Sequence, residues 1–86
     1  MLNFPNASRS YDAARQCVRF WGHDGAMEIS FFVTEAALLQ FAPRGPAGES
    51  SLLKSFDQNL DRIIRTARKV YQRGRKGSYE LMASDF

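Results

Sequence analysis

Cys17-Val18-Arg19-Phe20-Trp21-Gly22-His23-Asp24-Gly25-Ala26-Met27-Glu28-Ile29-Ser30-Phe31-Phe32-Val33 is the stretch whose reading decides the fold. From Gln16 to Gly22, Val18 and Phe20 fall on one face and Cys17, Arg19 and Trp21 on the other, the period of two that marks a strand. From Ala26 to Val33 the alternation resumes, with Met27, Ile29, Phe31 and Val33 against Glu28, Ser30 and Phe32. Between the two runs, Asp24-Gly25 supplies a glycine that tolerates the positive φ of a tight turn. The stretch predicts a β-hairpin.

Toward the N-terminus, Leu2-Asn3-Phe4 alternates and is closed by Pro5, which lacks a backbone donor, so it predicts a short strand suited to a sheet edge. Asn6 to Ser10 forms a polar loop, and Tyr11 to Arg15 is a turn of helix or a lead into the hairpin. On the other side, Thr34 is placed to cap a helix and Glu35 to favour its positive end, giving a short helix to about Phe41. Pro43, Gly45, Pro46 and Gly48 break that helix, making residues 42–49 a loop. A long second helix runs from near Ser50 to about Arg73, ended by Gly74. Residues 78–83 alternate again and predict a final strand returning to the sheet.

The long helix carries the sequence's clearest pattern. At 100° per residue from Leu60, the side chains Leu53, Phe56, Ile63, Ile64, Ala67, Val70 and Tyr71 fall within about 60° of 340°, a core-facing stripe. Opposite them, Arg62, Arg65, Lys69 and Arg73 fall between about 140° and 220°, a line of cations along the outer face. Arg75 and Lys76 extend it beyond Gly74. Asp57 and Asp61 flank the line, and Asp61 precedes Arg65 by one turn, a spacing that favours an ion pair.

Composition sets the outer bounds. The chain has 86 residues, 44% hydrophobic and 24% charged, so a single hydrophobic core fits and two do not. One domain is expected over residues 1–86: strands within 1–33, helices within 34–74 and a strand at 78–83. A core of this size leaves self-association a reasonable expectation, a dimer before a monomer. The longest apolar run, Ile29 to Val33, is far short of the roughly 20 residues that span a bilayer. The start, Met1-Leu2-Asn3-Phe4-Pro5, has neither the basic opening nor the apolar run of a secretory signal, and a lone Cys17 forms no internal disulfide. A cytoplasmic setting is expected.

Catalytic material is sparse. His23 with Cys17 is the one base and nucleophile combination available, but the two are six positions apart on one strand, roughly 15 Å or more, so they do not meet locally. A solvated turn histidine and a small semi-buried thiol account for them. One Cys and one His are too few for a zinc site, and the carboxylates Asp12, Asp24, Glu28 and Glu35 are scattered. Arg73-Gly74-Arg75-Lys76-Gly77 is glycine-rich and basic, yet follows a helix, whereas a phosphate cradle opens one. The chain is therefore expected to be no enzyme, with no cofactor, metal or small-molecule substrate inferred.

Charge segregation gives the functional expectation. From Lys54 to Lys76 there are eight Lys or Arg and two Asp, a segment charge of +6, while the remainder has four basic and seven acidic residues, −3. Cations Arg62, Arg65, Lys69, Arg73, Arg75 and Lys76 form the candidate site, for the phosphates of nucleic acid or for an acidic protein. An alternative is a protein-interaction or homodimerisation module whose cationic face is only solvated, as the outward faces of surface helices usually are. Trp21 is a candidate to stack a base, although a Trp on a sheet face more often packs. Membrane insertion is not expected, since the helix's apolar face is committed to the core.

Phe4-Pro5, Tyr11-Asp12, Val18-x-Phe20, Asp24-Gly25, Val33-Thr34-x-Ala36-x-Leu38, Phe56, Arg62-Ile63 and Ala67 together resemble the small bacterial domain-of-unknown-function family 1488. The resemblance implies a bacterial α+β domain and the same order of elements, and it supplies no functional residues to carry over. The expected architecture is α+β: a single two-layer domain whose small antiparallel sheet of about four strands, in the order β-β-β-α-α-β, packs against the long amphipathic C-terminal helix.

Overall fold

The computed structural model describes residues 2–4, 9–41, 48–74 and 78–86. Its elements follow in the order β1 (Leu2–Asn3), β2 (Arg9–Asp12), β3 (Cys17–Asp24), β4 (Met27–Thr34), α1 (Glu35–Phe41), α2 (Glu49–Gln58), α3 (Leu60–Arg73) and β5 (Ser78–Leu81), closed by a 3-10 turn at Ala83–Asp85. The hairpin forms as the alternation predicts. β3 and β4 pair antiparallel from Asp24 opposite Met27 to Cys17 opposite Thr34. That register leaves Gly25 and Ala26 as a two-residue loop, and Gly25 takes the positive φ, 61°.

Two short strands share the outer edge of β3. β1 sets Leu2 and Asn3 opposite Asp24 and His23, the edge position expected of it. β2 sets Arg9 to Asp12 opposite Phe20 to Cys17. β2 is a fifth strand where the sequence predicts the end of a loop and then a turn of helix or a lead-in, and its pairing partner is what makes it one. The sheet order is β1-β3-β4-β5, with β2 also on β3. β5 departs from the antiparallel expectation and runs parallel to β4. Its connection allows this: parallel neighbours need a long crossover, and the segment carrying α1, α2 and α3 supplies one.

The expected helix from Ser50 to Arg73 is divided at Asn59. Its backbone sits at φ −116°, ψ 22°, away from the helical region. The Asn59 amide N–H donates to the carbonyls of Ser55 and Phe56, and its side-chain Nδ2 donates to the Ser55 carbonyl at 2.8 Å. An asparagine side chain that bonds backbone in this way competes with the helix ladder. The break turns α2 relative to α3, so that Ser55, which a continuous helix would put at about 220° among the cations, is buried. There its hydroxyl donates to the Leu38 carbonyl at 3.1 Å.

Val18, Phe20, Ile29, Phe31, Val33, Tyr79 and Leu81 line one face of the sheet, and Leu38, Leu52, Phe56, Ile63, Ala67 and Tyr71 of the helices close over it in one core. Aromatic rings dominate the seam: Phe20 lies 5.2 Å from Phe56 and 5.3 Å from Phe31, and Phe31 lies 5.4 Å from Tyr79. The final strand stops at Leu81, short of the expected residue 83, because the Asp85 carboxylate accepts the Met82 N–H at 2.8 Å and the chain turns. Phe86 then meets Phe41 edge to face at 5.1 Å.

Candidate nucleic-acid interface

α3 buries Ile63, Thr66, Ala67 and Tyr71 and exposes Asp61, Arg62, Arg65, Arg68, Lys69, Gln72 and Arg73. Thr66 sits at the margin of the core, where its hydroxyl is satisfied by donating to the Arg62 carbonyl at 2.9 Å. The exposed side chains occupy an arc from about 80° at Arg68 to about 220° at Arg73. Five of these seven are cationic. The four expected on α3, Arg62, Arg65, Lys69 and Arg73, all face outward, whereas Arg75 and Lys76 lie outside the described residues. Arg68 is a fifth cation that the sequence window, closing at about 140°, left out.

Two of the cations are braced. The Arg62 guanidinium carbon stands 4.7 Å from the centre of the Phe41 ring, and that of Arg68 stands 5.8 Å from the Phe4 ring. Phe41 ends α1 and Phe4 follows β1, and the two arginines stand about 120° apart around the helix axis.

Among the described residues, the acids near the helix make no ion pair with its cations. Asp57 is engaged from the other direction by Arg9 of β2, whose Nε donates to Oδ1 at 2.9 Å and Nη2 to Oδ2 at 2.8 Å. That hydrogen bonding raises the Arg9 pKa above its ordinary value. The expected Asp61 to Arg65 pair does not form, and among the described residues Arg65, Lys69 and Arg73 make no ion pair. An exposed pair of this spacing is worth only a few tenths of a kcal/mol, which water and side-chain freedom readily outweigh. Asp61 instead lines an open depression of about 360 Å³ at the joint of α2 and α3, with Asp57, Asn59, Arg62 and Arg65.

The remaining candidates separate. Cys17 and His23 stand at opposite ends of β3, in register with Thr34 and with Glu28. Cys17 is 2% exposed, and burial, reinforced by the charge of Asp12 against that of Arg15, pushes its thiol pKa up. Among the described residues no group of three or more His, Cys, Asp and Glu is placed to hold a metal ion. Trp21 is half-buried on the sheet face away from the core, with the Arg19 guanidinium 5.2 Å from its ring. Arg19 also bonds the Ser30 hydroxyl at 3.1 Å and lies 3.6 Å from Glu28. The ring is thus covered from one side by a cation that is already paired.

Among the described residues, no helix is long and apolar enough to cross a membrane. The model of the family described as "Protein of unknown function (DUF1488)" matches residues 2–82. No curated protein matches the chain. Among solved structures, the crystal structure of a protein of unknown function from the DUF1488 family of Shewanella loihica PV-4 is similar in fold. It shows a TM-score of 0.81 at 17% identity, over 93% of this chain and 90% of that one.

Proposed function

Because the chain belongs to the DUF1488 family, whose description assigns no activity, we propose its function from geometry alone: it is a non-enzymatic module that binds the phosphate backbone of nucleic acid through the outer face of α3. The observation that carries this reading is the pairing state of the charges. Arg65, Lys69 and Arg73 share one exposed helix face without a carboxylate partner among the described residues, and Arg9 holds the nearest α2 acid, Asp57. Cations that are not spent on internal pairs are the ones that release counterions from a polyanion. A cytoplasmic setting, where nucleic acid is accessible, belongs to the same proposal.

The test is binding of labelled mixed-sequence oligonucleotides, single- and double-stranded, at about 50 mM salt. The expected result is saturable binding that the triple variant Arg65→Ala/Lys69→Ala/Arg73→Ala abolishes. The Arg15→Ala variant, which removes a cation stacked on Phe32 across the sheet, should leave binding unchanged. Absence of binding by the wild type to every oligonucleotide overturns the proposal. Retention of poly-glutamate by a protein that ignores nucleic acid would assign the same face to an acidic protein partner instead.

A further inference from the structure

The braced arginines say more than that α3 is basic. A single strand offers one backbone and is commonly held by bases stacked on open aromatic rings. The aromatic rings at the margins of the α3 face, Phe41 and Phe4, are covered by Arg62 and Arg68, and Trp21 lies on the far side of the sheet. A duplex offers two phosphate ridges with a groove between them. Arg62 and Arg68 stand toward opposite edges of the exposed arc, about 120° apart, with Arg73 beyond Arg62 at about 220°, and Arg65, Gln72 and Lys69 occupy its middle, between about 120° and 180°. This is the arrangement that a groove between two anionic walls complements.

Resting on the nucleic-acid reading above, we propose that α3 enters the major groove of B-form DNA. Arg62 and Arg68 reach phosphates on opposite ridges, and Arg65, Lys69 and Gln72 face the groove floor. The dimensions agree: a helix with its side chains is about 10–12 Å across, and the B-form major groove is about 12 Å wide. The deep, narrow major groove of duplex RNA does not admit a helix. Asp61, at about 100°, opposes phosphate at the N-terminal end of the Arg68 flank. α2 and α3 are joined through the single residue Asn59, whose carbonyl accepts the Ile63 N–H at 3.0 Å, so the docking is that of a helix face and not of a helix-turn-helix.

The experiment compares one sequence as duplex DNA, single-stranded DNA and duplex RNA, with dimethyl sulfate footprinting of guanine N7, an atom that faces the major groove. The expected result is duplex DNA bound on the order of tenfold more tightly than either competitor, with N7 protected where the protein sits. Arg62→Gln and Arg68→Gln should each reduce the salt slope by about 0.9, the share of one phosphate. Asp61→Asn should tighten binding. Duplex DNA bound with N7 fully reactive, or single strands or duplex RNA bound equally well, overturns the groove proposal and leaves the backbone reading standing. Failure to bind any nucleic acid overturns both.

Discussion

Gly22 is fixed by what its neighbours need. It lies on the core-facing side of β3, and a Cβ there would stand 2.8 Å from the Asn3 carbonyl oxygen and 2.8 Å from Cε1 of Phe4. The bare backbone is what lets the Phe4 ring lie across the strand, 5.8 Å from both Phe20 and Phe31, and so what puts that ring beneath Arg68. Gly22→Ala should therefore lower unfolding free energy by about 1–3 kcal/mol, read as a shift of the urea midpoint at constant slope. An unmoved midpoint would show that Phe4 does not pack there. Cys17 supplies a pH signature. Burial raises its thiol pKa in the folded state, so the native protein holds that proton at pH values where the unfolded chain has lost it. Stability should be undiminished by this group below the unfolded thiol value of about 8.5 and should fall as pH rises above it. Urea midpoints measured across that range in wild type and Cys17→Ala check this, and the decline should be shallower in the variant.

Elements with local signals are the ones the sequence exposes. The hairpin is readable because alternation and the Asp24-Gly25 turn lie within one stretch, and α1 because Thr34 caps it, accepting the Ala37 N–H at 3.2 Å. β2 is not readable, since a four-residue run of Arg9, Ser10, Tyr11 and Asp12 becomes a strand only by pairing with β3. The same holds for the parallel pairing of β5, which depends on a partner in register more than forty positions away, Phe31 opposite Tyr79. The break at Asn59 hides for a different reason. Apolar spacing runs through it, and the competing bond, from Nδ2 of Asn59 to the Ser55 carbonyl, is made by one polar side chain. Ser55 secures the resulting geometry by satisfying a carbonyl near the C-terminal end of α1, a group the helix itself leaves open. Ser55→Ala should cost about 1–3 kcal/mol by orphaning that acceptor in the core. Phe56→Ala, which empties a fully buried site, should cost about 3–5 kcal/mol. Chemical denaturation of both variants ranks them, and the reverse order would contradict this account of how α2 is seated.

Across the whole molecule, charge divides between paired and unpaired. On the sheet side Arg15 lies 3.8 Å from Asp12 and Arg19 lies 3.6 Å from Glu28, and on the edge Arg9 holds Asp57. On α3 the cations stand without such partners among the described residues. Arg62, Arg65, Lys69 and Arg73 were legible in the sequence because helix geometry converts local spacing directly into direction. Their freedom from neutralisation was not legible, because it depends on a residue 48 positions from Asp57. Nor were the rings beneath Arg62 and Arg68, which reach the helix from distant parts of the chain. The central claim is that this unpaired face binds nucleic-acid phosphates, and the salt dependence of affinity tests it most directly. With three to four phosphates engaged, a plot of log affinity against log salt should fall with a slope of about −3 for duplex DNA, and Arg65→Ala/Lys69→Ala/Arg73→Ala should make it shallower, to no steeper than about −2, the share left to Arg62 and Arg68. A wild-type slope near zero, or the same steep slope in the triple variant, would contradict the account.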